Sequence, residues 1–206
     1  METLKVNFQQ KKDIKGVIQL NGSKSISNRV LIIKALSKSD FKIENLSNAQ
    51  DTVTLNSILS NLTTEIDAGA GGTTYRFLTS FLCTQPGIYT LTGSERMKER
   101  PIKVLVDALN QLGAKIKYLE KDGFPPLQIN GANITGGKIT MPGNISSQYL
   151  SSLLMIAPTL KGGLELAWEG TLVSRPYLSM TLNLMAAFGI EYQWNKNSII
   201  VKEGKY

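Results

Sequence analysis

Three short segments of this chain combine small residues with hydroxyl and cationic side chains directly before an apolar stretch. They are GSKSISNR from Gly22, AGAGGTTYR from Ala68 and GNISSQYL from Gly143. Such residues are common at helix N-termini, where side-chain oxygens accept hydrogen bonds from unpaired backbone N–H groups. The same N–H groups, at the positive end of the helix dipole, also bind anions. The sequence therefore predicts three helix starts suited to phosphate or carboxylate groups.

The first segment carries two cations close to its predicted helix start. Lys24 and Ser25 lie at the start, and Arg29 follows Ser25 by four residues. Four residues are about one helical turn, so Ser25 and Arg29 share a side of the helix. A phosphate there could receive backbone, hydroxyl and cationic contacts together. The same residues are equally compatible with an ordinary capped helix and solvated cations.

The second segment is rich in glycine and is followed by a basic stretch. Gly72, just before Thr73, allows either close backbone approach to a ligand or a simple tight turn. Downstream, SERMKERP places Arg100 with Arg96 and Lys98 immediately before a predicted helix. Charged runs are usually solvated, but this one precedes a helix start, where a second anion could bind.

The third segment supplies uncharged hydrogen-bonding side chains. Ser146, Ser147 and Gln148 are consecutive, and the later segment LVSRPY contributes Ser174 and Tyr177 at another predicted helix start. Such groups can bind hydroxyl and phosphate oxygens, although they can also simply cap helices. Each segment alone is weak support for a site. Their recurrence at equivalent points favours one shared polyanion site.

The elements around these segments follow one pattern three times. After each first helix we predict a short extended run, a second helix and a further strand. The extended runs are 41–43, 88–91 and 164–168, and the second helices begin at Asp51, Pro101 and Arg175. From Ser25 to Leu62, Thr73 to Gly113 and Ser146 to Gly189 the separations are 37, 40 and 43 residues. The sequence therefore predicts an α/β fold built from one repeated unit.

Composition limits the class of protein. The chain has 206 residues, of which 42% are apolar, and nothing resembling a linker interrupts the units, so we expect one domain. The N-terminus lacks the apolar stretch of a secretion signal, and no apolar run approaches the roughly 18 residues of a membrane span. The single cysteine, Cys83, lies in an apolar helical run and is interpreted as core rather than as a reactive thiol. We expect a cytoplasmic location.

The chain contains no histidine and carries a formal charge of +7. A Ser-His-Asp triad and a histidine-ligated zinc are therefore excluded, and we expect neither a metal nor a cofactor. The positive charge favours acidic ligands. Nucleic acid is one such class, but the lysines are scattered rather than arranged in a stripe. A small phosphorylated substrate fits better, because the notable cations adjoin the small-residue segments.

These residues resemble a known family. In this order, GSKSISNR, GGTTYRFL, RMKERPI, GNISSQYL and SRPYLSMTLNLMAAFGI are similar to the N-terminal half of 5-enolpyruvylshikimate-3-phosphate synthases, over about Val17 to Glu191. The resemblance implies a domain of three βαβαββ units, with parallel helices in the centre and sheets outside. It also implies transfer of the enolpyruvyl group of phosphoenolpyruvate to the 5-hydroxyl of shikimate 3-phosphate, with release of phosphate, in aromatic amino acid biosynthesis.

The resemblance also implies which residues bind each substrate. Shikimate 3-phosphate would contact Lys24, Ser25, Arg29, Ser146, Ser147, Gln148, Ser174 and Tyr177, and phosphoenolpyruvate would contact Lys24, Gly72, Arg100 and Gln148. The family's carboxylate base and further cationic ligands lie in its second half, so no catalytic residue is expected here. We therefore expect no turnover by this chain alone and weak binding of shikimate 3-phosphate.

Two features depart from the family pattern. Where the family often has Asn-Ala-Gly-Thr, this chain has Ala70 to Thr73, and the first unit passes from 64–67 almost directly into the glycine segment.

By analogy with the family, residues 1–15 are expected to form a strand segment that pairs with a C-terminal domain. Residues 16–206 are then expected to form the N-terminal substrate-binding domain.

Three alternatives remain at this point. UDP-N-acetylglucosamine enolpyruvyl transferases share the fold but open with a GAKN-type segment instead of GSKSISNR. RNA 3′-terminal phosphate cyclases have a similar fold, and the pI of about 9.4 is compatible with nucleic acid. A non-catalytic interaction module could also keep the scaffold, although retention of Lys24, Arg29, Arg100 and the Ser-Ser-Gln triplet argues against it.

Overall fold

The computed structural model describes residues 16–131 and 134–206, and residues 1–15 with the strand segment predicted there lie outside this part. Its helices are α1 (Lys24–Ser37), α2 (Gln50–Ser60), α3 (Gly72–Cys83), α4 (Glu95–Lys98), α5 (Lys103–Gln111), α6 (Ser147–Ile156) and α7 (Arg175–Ala187). Its strands are β1 (Glu65–Asp67), β2 (Gly87–Thr92), β3 (Lys115–Tyr118), β4 (Leu127–Gly131), β5 (Thr135–Pro142), β6 (Lys161–Glu169), β7 (Tyr192–Trp194) and β8 (Ser198–Val201). A short 3₁₀ turn, Ala157–Thr159, extends α6.

The strands form two four-stranded sheets with the same topology. One has the order β1-β2-β4-β3 and the other β5-β6-β8-β7. In each sheet the first two strands are parallel, with Ile66 opposite Leu91 in one and Ile139 opposite Leu166 in the other, and the remaining pairs are antiparallel. A parallel pair requires a crossover, which α3 and α6 provide. Two complete βαβαββ units are therefore present, and the predicted α/β class is confirmed.

The first unit differs from the prediction. Among the described residues before β1 there is no strand, so this unit contributes only α1 and α2. The predicted run 41–43 does not pair, because the Phe41 carbonyl accepts a hydrogen bond from Lys34 Nζ and the Phe41 ring packs on Phe188, with the centroids 5.5 Å apart. Four residues separate the end of α2 from β1, which is too short for a closing pair of strands. Among residues 16–64, the short first unit noted in the sequence therefore has no sheet of its own.

The helices α3 and α6 form the centre of the domain. Eleven of the twelve residues of α3 and nine of the ten residues of α6 are buried, as expected for helices surrounded by protein. The two helices contact each other through small side chains, with Ser80 Oγ 3.0 Å from Ser152 Oγ. Cys83 is fully buried at the end of α3, in agreement with its interpretation as core.

The predicted helix boundaries are close to the observed ones. The first helix of each unit begins within one residue of the predicted position, and α7 begins at Arg175 as predicted. Ser23 caps α1 and Ser146 caps α6, each accepting a hydrogen bond from a backbone N–H of the first turn. Gly113 and Gly189 follow α5 and α7 with φ of +91° and +86°, the left-handed conformation expected of a glycine C-cap. In the described part of the chain, none of the helices is both long and apolar enough to span a membrane.

Candidate functional site

The predicted anion-binding segments lie together at one end of the domain. Lys24 Nζ at the start of α1 is 3.1 Å from Asp51 Oδ2 in the first turn of α2. The carbonyl of Asp51 in turn accepts a hydrogen bond of 2.9 Å from the Thr74 hydroxyl in α3. Gln148 in the first turn of α6 donates from Nε2 to Thr73 Oγ1 at 2.9 Å. The first turns of four helices are therefore connected, and we call this end of the domain the tip face.

The glycine at position 72 allows Arg100 to lie directly against the start of α3. A Cβ atom on Gly72 would stand 2.3 Å from Nη1 and 2.7 Å from Cζ of Arg100. These separations are far below van der Waals contact, so only the absence of a side chain allows the guanidinium to reach the N-terminus of α3. The sequence left open whether this glycine serves a turn or a close approach. The structure shows a close approach, by a side chain of this same chain.

Lys24 is the most accessible cation of the tip face, with 49% of its side chain exposed. Asp51, which sequence analysis had treated only as a helix start, holds it from the next helix. Asp51 also lies beside Gly71, where an added Cβ would be 3.1 Å from Asp51 Cγ. Gly71 therefore lies beside Asp51, which is ion-paired with Lys24, and Gly72 lies beside Arg100.

Gln148 is held on both sides of its amide group. Its Nε2 donates to Thr73, and its Oε1 accepts a hydrogen bond from Arg76 Nη1. Sequence analysis missed Arg76, although it follows Gly72 by one helical turn on the same side of α3. That spacing was the available signal. Arg76 is 6% exposed, and this burial lowers the pKa of its guanidinium. Tyr149 partly offsets the effect, whereas the nearby charge of Arg100 adds to it.

Arg29 is placed differently from the expectation of a ligand-facing cation. It is 2% exposed, and it donates from Nε to Thr181 at 2.7 Å, from Nη1 to the Ser25 carbonyl at 2.8 Å and from Nη2 to Ser151 at 3.1 Å. The predicted proximity to Ser25 is therefore present, but the guanidinium is directed into the protein, where it joins α1 to α6 and α7. Burial lowers its pKa to about 10, and Tyr177 partly offsets this effect.

The remaining predicted residues lie around Arg29 and Gln148. The Tyr177 ring is 46% exposed, and its centroid lies 6.0 Å from Arg29 Cζ. Ser174 precedes α7 in a left-handed conformation, with φ of +56°, and is exposed. Ser146 is exposed at the start of α6, whereas Ser147 is buried. Tyr177, Ser174 and Ser146 are therefore open to solvent at the start of their helices.

The cations of the basic segment before Pro101 have different surroundings in the structure. Residues 95–98 form the short helix α4, whose Met97 side chain is fully buried. Lys98 is paired with two carboxylates, Glu95 at 3.4 Å and Glu120 at 3.3 Å, and their hydrogen bonds raise its pKa. Arg100 is directed toward Gly72 rather than toward the start of α5. The segment therefore places Arg100 at the tip face, while Lys98 is paired with carboxylates.

The tip face presents chemical groups of the kind that bind anions. It combines the ammonium of Lys24 and the guanidinium of Arg100 with the N-terminal first turns of helices, whose backbone N–H groups favour anions. The Asp51 carboxylate is in contact with Lys24 and forms an ion pair with it. This arrangement can hold a phosphate or carboxylate group and stabilise negative charge.

Comparison with known proteins identifies the chain's relatives. The family model described as EPSP synthase (3-phosphoshikimate 1-carboxyvinyltransferase) matches residues 8–68 and 63–205. A 3-phosphoshikimate 1-carboxyvinyltransferase of Bacteroides fragilis (strain YCH46) is 53% identical over 194 residues, which cover 94% of this chain and 47% of the relative. The protein of the same name from Shewanella amazonensis is 42% identical over 203 residues, covering 86% and 47% of the two chains.

The fold comparison agrees with this result. The structure of an EPSP synthase from Acinetobacter baumannii superposes with a TM-score of 0.80 at 20% identity, and the match covers 92% of this chain and 48% of that chain. The chain thus spans about half the length of the relatives it matches. The comparisons favour neither the UDP-N-acetylglucosamine enolpyruvyl transferases nor the RNA 3′-phosphate cyclases. The chain belongs to the EPSP synthase family, in which it represents an N-terminal half.

Proposed function

We propose that this chain supplies the N-terminal substrate-binding half of an enzyme that transfers the enolpyruvyl group of phosphoenolpyruvate to the 5-hydroxyl of shikimate 3-phosphate. The observation that carries the proposal is the packing of Arg100 on Gly72, beside Lys24 and Gln148, at the joined first turns of several helices. This places cations and N–H donors where a small molecule with two or three negative charges could bind.

Phosphoenolpyruvate is assigned to the side of the tip face around Gly72. Lys24 and Arg100 would neutralise its phosphate and carboxylate, and Gln148 would donate the hydrogen bond that its amide still has free. The planar guanidinium suits such groups because it can donate two parallel hydrogen bonds. The two glycines let the backbone N–H groups of α3 approach the anion.

Shikimate 3-phosphate is assigned to the starts of α1, α6 and α7. Ser25, Ser146, Ser147, Ser174 and Tyr177 offer hydroxyl groups for the ring hydroxyls and the phosphate, while Lys24 and Gln148 are shared with phosphoenolpyruvate. Arg29 is assigned an indirect role, since three of its N–H groups already bind protein oxygens. It would keep Ser25 and Tyr177 in place beneath the ligand.

In the reaction, the 5-hydroxyl oxygen loses its proton to a base and bonds to C2 of phosphoenolpyruvate, while C3 gains a proton from an acid. The resulting tetrahedral intermediate then loses phosphate and a proton from C3. The residues of this chain would hold the anionic groups through both steps. Proton transfer is assigned to groups outside this half, because the Asp51 carboxylate at this face is ion-paired with Lys24. We therefore expect the 206-residue chain to bind shikimate 3-phosphate weakly and to release no phosphate from the substrate pair.

Binding can be tested by titrating the chain with shikimate 3-phosphate and recording backbone amide shifts. Changes are expected near Lys24, Arg29, 146–148 and Ser174, with much smaller changes when shikimate replaces the phosphate ester. Lys24→Met should abolish the changes. Lys34→Met is a matched control, since Lys34 lies on the same helix and also pairs with an aspartate, Asp40, at 3.3 Å. Equal effects of the two variants, or changes confined to other surfaces, would refute the assignment.

The turnover expectation has its own test. Phosphate release is measured with both substrates and the pure chain. Sustained release over many turnovers would contradict the assignment of proton transfer to the other half.

We also propose that residues 1–15 pair with the C-terminal half. Three apolar residues that follow this segment are largely exposed to solvent: Val17 (97%), Ile18 (84%) and Leu20 (78%). Such exposure is compatible with a surface that another part of the whole protein covers. Amide exchange of 1–15 should be fast in this chain by itself. Strong protection of that segment in the monomer would contradict the proposal.

A further inference from the structure

Arg76 is a buried cation that the proposed substrate contacts leave unused. Its side chain is 6% exposed, and its Nε–H has no hydrogen-bond partner among the described residues. The guanidinium stacks on Tyr149, with Cζ 4.7 Å from the ring centroid, and donates to Gln148 Oε1. A buried arginine without a carboxylate partner is costly, so its position calls for a functional reason.

The chemistry of its neighbours supplies that reason. The amide of Gln148 contacts a hydroxyl on one side, Thr73 Oγ1, and the Arg76 guanidinium on the other. A threonine hydroxyl can donate or accept a hydrogen bond, so it is compatible with either orientation of the amide. A guanidinium can only donate, so it requires the amide oxygen to face it. Arg76 therefore decides that the amide oxygen of Gln148 faces the guanidinium and that its NH₂ group faces Thr73, which leaves the second N–H for a ligand.

Arg76 also supports the segment that carries Arg100. It stacks on Tyr149, and the hydroxyl of Tyr149 donates to the Pro101 carbonyl at 2.7 Å. Pro101 directly follows Arg100, which is the residue packed on Gly72. The Arg76 side chain thus contacts both Gln148, a hydrogen-bond donor of the tip face, and Tyr149, which holds the segment that carries Arg100.

We propose that Arg76 is a positioning residue of the anion site: it fixes the Gln148 amide so that the N–H not bonded to Thr73 is available to the anion, and it supports Arg100 through Tyr149. The proposal deepens the proposed function and rests on it for the identity of the anion. Without Arg76, the Gln148 amide could turn its oxygen toward the ligand, and an oxygen repels phosphate and carboxylate groups. The role of Arg76 is exerted through Gln148, without contact with the substrate.

The first experiment needs no ligand. The side-chain NH₂ signals of Gln148 are recorded in the 206-residue chain, in Arg76→Met and in Arg76→Lys. We expect the signals to move in Arg76→Met, which has no donor, and to stay near the wild-type positions in Arg76→Lys, which keeps one. Arg175→Met is the matched control, because Arg175 also stacks on an aromatic ring, Trp194 at 4.8 Å, away from Gln148. Unchanged Gln148 signals in Arg76→Met would overturn the proposal.

The second experiment measures affinity for shikimate 3-phosphate, whose assigned contacts include Gln148. Arg76→Met should weaken binding about tenfold, the effect of one hydrogen bond to a charged group, and Arg76→Lys should restore most of the loss. In the Gln148→Met background, Arg76→Met should have little further effect, because the two residues act as a unit. Fully additive losses would show that Arg76 does not act through Gln148. If the wild-type chain fails to bind at all, the proposed function fails, and the ligand-free signals still decide the role of Arg76.

Discussion

Replacement of Gly72 by alanine tests the close approach on which the anion site depends. The new methyl carbon would stand 2.3 Å from Arg100 Nη1, whereas non-bonded heavy atoms prefer about 3.5 Å or more. The guanidinium must therefore move by roughly 1 Å or more. The obstructing atoms are the far end of a flexible side chain, so the backbone of α3 can stay in place and the fold should survive.

The expected effect separates binding from stability. Alanine in the first turn of a helix is more favourable than glycine by up to about 1 kcal/mol, which offsets part of the cost of moving Arg100. The free energy of unfolding should therefore change by no more than about 1 kcal/mol. Loss of one charge-assisted hydrogen bond to the anion costs about 1.5–3 kcal/mol, or roughly 10- to 150-fold in affinity.

Urea unfolding gives the stability, and the KM for phosphoenolpyruvate in the complete enzyme gives the effect on the anion site. Gly204→Ala is a matched control, because an added Cβ there meets only Ile190 Cδ1, at 3.9 Å. In an Arg100→Met background, Gly72→Ala should have little additional effect on KM. If Gly72→Ala weakens the substrate by the same factor with and without Arg100, the clash is not the cause and the reasoning is wrong.

Three further predictions concern buried polar groups. Arg29→Lys should destabilise the chain in urea by about 2–3 kcal/mol, more than Arg29→Met, because lysine keeps the buried charge without spanning three acceptors. Burial raises the pKa of the Cys83 thiol to about 12. The thiol of the unfolded chain ionises near pH 8.5, so the free energy of unfolding does not depend on this group below that pH. Between pH 8.5 and 10 the free energy of unfolding should fall by about 2 kcal/mol, and this fall should be absent from Cys83→Ala. Tyr149→Phe removes the hydrogen bond to Pro101 and should cost about 1 kcal/mol while shifting the Arg100 amide signal.

Each of these predictions can fail in a definite way. Equal stability of Arg29→Lys and the wild-type chain would show that the three hydrogen bonds contribute little. The same fall in stability from pH 8.5 to 10 in Cys83→Ala would assign it to other groups. An unshifted Arg100 signal in Tyr149→Phe would remove the link between Tyr149 and the anion site.

The candidate site was only partly predictable from the sequence. Glycine, serine and threonine before an apolar stretch identify a helix start locally, so the segments around Lys24, Gly72 and Gln148 were found. The partners that hold them were not, because Asp51 and Arg76 come from other turns and are ordinary residues of helices in the sequence. The orientation of Arg29 was also beyond the sequence, since α6 and α7 lie more than a hundred residues away and supply two of its acceptors.

The amino-acid sequence by itself determined the α/β class, the helix starts, the glycine ends of α5 and α7 and the family, because each depends on local patterns or on ordered motifs. The tertiary structure alone decided that no strand precedes β1 in the part of the chain from residue 16 onward. It also decided that Arg29 faces inward, that Arg100 rests on Gly72 and that Arg76 holds Gln148. These outcomes depend on which helices come together in space, and burial and hydrogen-bond geometry at those contacts determine where each charged side chain can point.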